Sequence, residues 1–224
     1  MRVRLAKIGV LLAVLLFALS ARATLIDRGG GVIYDTGLNI TWIQDANYAM
    51  TSGYDADGRM TWYEAMAWAA NLTYGGFDDW RLPTTLPGTD MTHSTDGSTD
   101  HGYNGTQSEM GHLFYATLGN LGRYDMYGNS LTKYGLTNAG PFLNIQANGP
   151  TQDSYFSDTE YLPWDRAWYF RFDQGYQDST TKESLGYAWA VRDGDVASVP
   201  EPSTLLLLGA GLTGLALSRR RFRN

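Results

Sequence analysis

The 224-residue chain contains no cysteine, which removes disulfide staples, thiol nucleophiles and thiolate metal sites together. Histidine is scarce. His93, His101 and His112 are the three present, and their spacing fits no compact zinc motif. There is no G-x-S-x-G elbow, no phosphate-cradling P-loop and no dinucleotide fingerprint. Basic side chains are also few: residues 24–199 hold 9 against 22 acidic ones, a net −13 that the whole-chain value of −6 conceals. A surface that acidic repels nucleic acid and other polyanions as direct partners. No internal repeat is visible, and no apolar run reaches the roughly 20 residues of a full membrane span.

What is abundant is aromatic and glycine. Seven Trp and 15 Tyr are ample for a packed core, and 26 Gly point to many turns between short strands. The length suits one ordinary domain, 24–197, between two processing segments. At the N-terminus, Arg2, Arg4 and Lys7 precede an apolar stretch from Ile8 to Leu19, and Ala21-Arg22-Ala23 offers small residues for cleavage. This is the pattern of a signal peptide over 1–23, cut after Ala23, and it implies the Sec export machinery as a partner. At the other end, 198–224 carries Pro200-Glu201-Pro202, then a short apolar segment from about Thr204 to Leu217, then Arg219, Arg220, Arg221 and Arg223. Such a segment makes a short transmembrane helix whose arginines stay cytoplasmic. The tripartite order resembles the PEP-CTERM sorting signal of Gram-negative bacteria. That resemblance implies cleavage by exosortase near Pro-Glu-Pro, a transient stay in the inner membrane, and then the cell surface or secretion.

The stretch MTWYEAMAWAANLTYGGFDDWRLPTT, Met60 to Thr85, organises the domain. Thr61 is a good N-cap and Glu64 completes a capping box. Trp62, Ala65, Met66, Ala69 and Leu72 recur at helical spacing. Gly75-Gly76 is expected to stop this helix, and Pro83 forces Leu82 into an extended conformation. This segment, followed by SEMGHLFYATLG, YFSDTEY, AWYFRF and YAWAVRDGD, resembles the Lcl C-terminal domain family, named for a collagen-like adhesin. The resemblance covers most of Gly31 to Asp195. It implies a C-type-lectin-like arrangement, with Trp80 and Arg81 as signature residues able to line a ligand site. The family's Glu-Leu pair normally follows WRLPT directly, whereas here a polar segment from Leu86 to Gln107 intervenes before Glu109.

Elsewhere the spacing predicts a hairpin over Leu25 to Trp42 with a turn at Asp35-Thr36-Gly37. It predicts a long surface loop over Leu86–Gln107 and a second helix over Glu109–Leu118. Short aromatic strands are expected at Phe142-Leu143, Tyr155-Phe156, Trp168–Phe172 and Tyr187–Val191. Two helices and a Trp-rich antiparallel sheet make an α+β domain.

Several polar groups are candidate sites. Asp55, Asp57 and Glu64 fall on ligand positions of a calcium loop when Gly58 is set at its turn, but Gly53 takes the first position and has no side chain. Calcium and a plain helix-capping acidic turn are both open. Trp80 and Arg81 either line a ligand or lock the core, with Asp78 or Asp79 as Arg81's partner and Asp193 or Asp195 as Arg192's. The acidic group Asp153, Asp158, Glu160 and Asp165 around YFSDTEY, or the pair Asp78 and Asp79, holds the carboxylates from which a glycoside-acting enzyme would be built. Tyr103, Tyr124, Tyr127 and Tyr176 are expected to be exposed, either stacking on sugar rings or serving as ordinary surface tyrosines of a Gly-rich fold. The WRLPT segment is also similar to formylglycine-generating enzymes, but those need active-site cysteines, and this chain has none. The expectation is a non-catalytic surface module that binds polysaccharide or mediates adhesion. The family's namesake binds sulfated glycans, but a net charge of −13 favours a neutral polysaccharide. A structural matrix protein without a specific ligand is the alternative.

Overall fold

A computed structural model describes residues 24–86, 92–147 and 153–196. Ala23, the Pro200-Glu201-Pro202 motif and Arg219, Arg220 and Arg221 lie outside the described residues, as do the signal peptide and the C-terminal apolar segment.

The fold is α+β, and its strands form two sheets rather than one meander. The first is antiparallel throughout, with β1 (Leu25–Asp27), β2 (Val32–Asp35), β3 (Ile40–Ile43) and β9 (Val191–Asp193) in that order. The expected β2–β3 hairpin is present. Asp35 closes its turn by accepting from the amides of Gly37 (2.8 Å) and Leu38 (3.3 Å). The second sheet runs β4 (Arg59–Met60), β8 (Gly186–Tyr187), β5 (Tyr155–Glu160), β6 (Arg166–Arg171) and β7 (Tyr176–Thr181). It is mixed, because β5 and β8 pair in parallel. Phe142-Leu143 forms no strand; Leu143 makes a single bridge to Asp45. The stretch Tyr187–Val191 is likewise split, leaving the second sheet as β8 and entering the first as β9.

The central strands β3 and β6 are buried on both faces, which the period of two in a strand converts into two cores. Along Tyr187–Val191 the large residues Tyr187, Trp189 and Val191 enter one core with Trp42, Phe114, Phe170 and Phe172. The intervening Ala188 and Ala190 enter the other, with Trp62, Trp68, Trp80, Phe156 and Tyr169. The alanines are small because a helix packs there.

That helix is α2 (Trp62–Ala70), which follows the short α1 (Tyr48–Thr51). Thr61 and Glu64 form the expected capping box. Trp62, Ala65, Trp68 and Ala69 are its buried residues, and their small alanines let α2 approach Ala188 and Ala190. The helix stops before Gly75-Gly76, with Asn71 as its C-cap, whose Nδ2 bonds back to the Ala67 carbonyl at 2.7 Å. The two glycines, both at positive φ, instead turn a small loop closed by Tyr74 and Phe77. The predicted Glu109–Leu118 helix is one turn of α-helix, α3 (Glu109–Gly111), that widens into a π-helical segment from His112 to Thr117. Leu118 donates to Leu113 five residues back, at 2.9 Å. This widening keeps Met110, Leu113, Phe114 and Leu118 all in the core.

Candidate functional site

Trp80 and Arg81 sit on an extended strap between the sheets, and the strap explains the signature. Trp80 is 3% exposed, its indole N–H shared between the carbonyls of Tyr74 and Phe77. It packs in the α2 core and presents nothing to a ligand. The Arg81 backbone pairs with Val191 of β9 in both directions at 2.8 Å. Its guanidinium makes two parallel bonds of 2.8 Å to Glu109 and reaches Asp193 Oδ1 at 2.6 Å. Neither Asp78 nor Asp79 is its partner. Asp79 instead pairs bidentately with Arg192 (2.7 and 2.8 Å), which lies 4.1 Å over the Phe77 ring. Asp195, the other partner expected for Arg192, pairs with Arg28.

From Arg81 the network runs on to β5. Thr84 donates its amide to Glu109 (2.7 Å) and its hydroxyl to Asp158 (3.0 Å), while Asp158 donates its own amide to Pro83. Burial raises the Asp158 carboxyl above the usual range, and hydroxyls of Thr159 and Thr84 oppose the shift. The WRLPTT strap therefore ties β9, α3 and β5 together, with a bidentate arginine at its centre. Asp158 serves this tie. Glu160 is held elsewhere, by Lys182.

The Asp55–Asp57–Glu64 group is spent on backbone. Asp55 Oδ1 accepts from the amides of Asp57 (3.0 Å) and Gly58 (2.8 Å), and Asp57 Oδ1 from Arg59 (3.0 Å). Glu64 Oε2 accepts from the Thr61 amide and hydroxyl, both at 2.8 Å. Among the described residues no group of three or more His, Asp or Glu is placed to hold a metal ion. The acidic turn is thus a sequence of Asx turns leading into a capped helix, and the calcium loop is not assembled.

The polar segment 86–107 departs most from expectation. Its described part is not a free loop but a cover for the open edge of β7. Gly102 and Gln177 exchange backbone bonds of 2.8 and 2.9 Å, and Ser94 pairs with the same stretch. The Gln177 side chain, buried, accepts from Ser108 (2.6 Å) and donates to the Asp100 carbonyl (2.8 Å). Gly102 has φ +120, and a Cβ there would lie 2.0 Å from the Ser94 carbonyl oxygen, so only glycine fits.

This cover brings together the rings that the sequence leaves scattered. Tyr103 packs between Tyr176 (4.9 Å) and Tyr124 (5.0 Å), and His93 lies against Tyr176 (5.8 Å), Tyr103 (6.0 Å) and His101 (5.5 Å). His101 continues to Trp168 and Tyr161, and its Nε2 lies 3.1 Å from Asp178. Tyr103 is buried, contrary to its expected exposure, whereas His93 is exposed and Tyr124 and Tyr176 are half-buried. Tyr127 is 89% exposed but makes no ring contact among the described residues. Burial works against the Asp178 charge, but hydrogen bonds from His101, the Ser179 amide and Tyr176 hold it below the usual range. Burial and Asp178 together keep the Tyr176 hydroxyl protonated well above its usual pKa. The result is an aromatic cluster edged by the Asp178 carboxylate, which already accepts from Tyr176 and the Ser179 amide and lies against His101.

These features define an α+β domain of two sheets tied together by an arginine-centred strap. The Lcl C-terminal domain family matches residues 31–192, and the chain belongs to it. The PEP-CTERM protein-sorting motif matches residues 198–221. The protein is therefore exported, held transiently at the membrane, sorted by exosortase and then exposed at the surface. No curated protein and no solved structure matches the chain.

Proposed function

We propose that this protein is a non-catalytic surface module, C-type-lectin-like in arrangement, that binds a neutral polysaccharide and so serves adhesion or matrix retention. The aromatic face of His93, Tyr124 and Tyr176 carries this reading, because it combines partly exposed rings with an ionised acceptor at Asp178. The net charge of −13 between residues 24 and 199 argues for an uncharged glycan over a sulfated one. Of the carboxylates that an enzyme would need, Asp158 is held by the Thr84 and Thr159 hydroxyls, and Glu160 gives one oxygen to Lys182. Calcium has no assembled place in this reading.

The test is a glycan panel that includes the host's own exopolysaccharide, probed with the full chain in the presence of calcium and of a chelator. Saturable binding of neutral chains, indifferent to chelation, is the expected result. Absence of binding to any glycan would turn the assignment to a structural matrix protein. Hydrolysis abolished by Asp158→Asn or Glu160→Gln would replace it with an enzyme.

A further inference from the structure

The β5–β6 hairpin carries the one tryptophan that the domain leaves open. Trp164 is 56% exposed, while tryptophan in a folded domain is normally well buried. It is not a loose side chain. Its ring stacks on Tyr161 at 5.4 Å and 24° between planes, and Tyr161 is itself buried against Trp168 at 4.8 Å. The hairpin backbone is closed by Tyr161 donating to Arg166 and Arg166 donating to Trp164, both at 2.8 Å. One indole face is thus braced from behind, and its exposure leaves the ring open to solvent.

The polar surroundings are equally ordered. Lys182, 7% exposed, reaches Glu160 Oε1 at 3.2 Å and Asp165 Oδ1 at 3.1 Å, and lies over the rings of Trp62 (4.8 Å) and Tyr63 (5.6 Å). The exposed Tyr63 donates its hydroxyl to Asp165 Oδ1 at 3.4 Å. Lys182 takes one oxygen of each carboxylate, so the second oxygens of the exposed Glu160 and Asp165 are left to accept from a ligand. Trp164, Lys182, Glu160 and Asp165 make no contact with Asp178 or the Arg81 network, although Tyr161, which braces Trp164, also lies against His101.

We propose that this hairpin is a subsite for one uncharged hexopyranose unit of a polysaccharide, stacked on Trp164 and hydrogen-bonded through its hydroxyls to Glu160 and Asp165. The inference rests on the polysaccharide reading above. A pyranose has a C–H face with partial positive charge, which the negative face of an indole attracts, and a rim of O–H donors, which carboxylates accept. A hydrophobic protein partner would find only Trp164 and Leu162 exposed on the same hairpin as the exposed carboxylates Glu160 and Asp165, which it would have to desolvate. Acidic or sulfated sugars would meet two carboxylates in a domain of net −13. The Lys182 ammonium already bridges those carboxylates, so no metal is required.

The test is calorimetric titration of the full chain, recovered in mild detergent, with neutral gluco-, manno- and galacto-oligosaccharides, using heparin fragments as the anionic comparison. Trp164→Ala is expected to weaken neutral binding by roughly tenfold or more, with the thermal midpoint unchanged. Trp164→Phe, which keeps a ring on Tyr161, is expected to lose less affinity and to abolish the ligand-induced change in tryptophan emission. If the wild-type chain binds and both variants bind equally, the subsite is overturned while the polysaccharide reading stands. If the wild-type chain binds no neutral sugar, both fall. Loss of binding in Trp164→Ala that tracks loss of a dimer in sedimentation would also overturn the subsite, making the hairpin a contact between copies.

Discussion

Arg81 illustrates how a signature residue can be structural while looking functional. Its guanidinium satisfies Glu109 from α3 and Asp193 from β9, and only a planar fork can meet both. Burial disfavours its charge, yet the bonds to Glu109 and Asp193 more than restore it. Arg81→Ala is therefore expected to cost about 3 kcal/mol, since Glu109 would be left largely buried without its cation. Arg81→Lys should recover little, because an ammonium cannot make the two parallel bonds. Urea unfolding of the three proteins decides the matter. A midpoint for Arg81→Ala within error of the wild type would show that the strap is not held by this ion pair, and loss of glycan binding at unchanged stability would return Arg81 to a ligand site.

At the scale of elements, α2 was legible because its signals are local. The Thr61–Glu64 box and the Trp62, Ala65 and Ala69 spacing lie within one segment; the box forms and the three spaced residues bury as predicted. Met66, in contrast, is only partly buried, Leu72 lies beyond the helix and Trp68 completes the buried face. The Thr61 amide and hydroxyl hold Glu64 below its usual pKa. The unfolded chain thus binds that proton more readily, so this contribution is present above the unfolded value and lost as pH falls through the folded one. Thr61→Ala is expected to cost about 1 kcal/mol, and Glu64→Gln to remove part of the acid-side decline. Millimolar calcium should leave the thermal midpoint of the wild type unchanged, since Glu64, Asp55 and Asp57 are already spent on amides. A calcium-induced rise in that midpoint, absent in Glu64→Gln, would restore the metal loop.

The cover over β7 was not legible, and the reason is physical. A Ser-, Thr-, Asp- and Gly-rich stretch has no apolar period, and it is held by backbone pairing with Gln177, a glycine at positive φ and one buried tyrosine. None of these leaves a pattern within the stretch itself. The same holds for the Arg81 partners, which lie 28 and 112 residues away. Gln177→Ala removes the two buried side-chain bonds to Ser108 and Asp100, so hydrogen exchange at Gly102 and Gln177 should accelerate by an order of magnitude or more. Amides of β5 and β6 should not change. Exchange accelerating equally across the second sheet would mean that the cover is part of its core rather than a clamp on its edge.

For the whole molecule, two aromatic cores share strands that are buried on both faces, and one charged strap crosses between them. Export without cysteine is compatible with such an arrangement because stability comes from packing of Trp, Tyr and Phe rather than from cross-links. The surface left over is strongly acidic, and this sets how the protein meets a glycan. If recognition relies on stacking and on hydroxyls bonded to carboxylates, little net charge changes hands, and screening should matter little. Affinity for a neutral oligosaccharide is then expected to change less than about twofold between roughly 20 and 500 mM salt, a range over which the Debye length falls from about 20 Å to about 4 Å. Heparin should bind at neither end, because repulsion dominates at low salt and no cationic patch takes over at high salt. A steep fall in affinity with salt would show that the ligand is anionic and held by the nine basic side chains. It would also remove the main reason for expecting a neutral polysaccharide on either aromatic face.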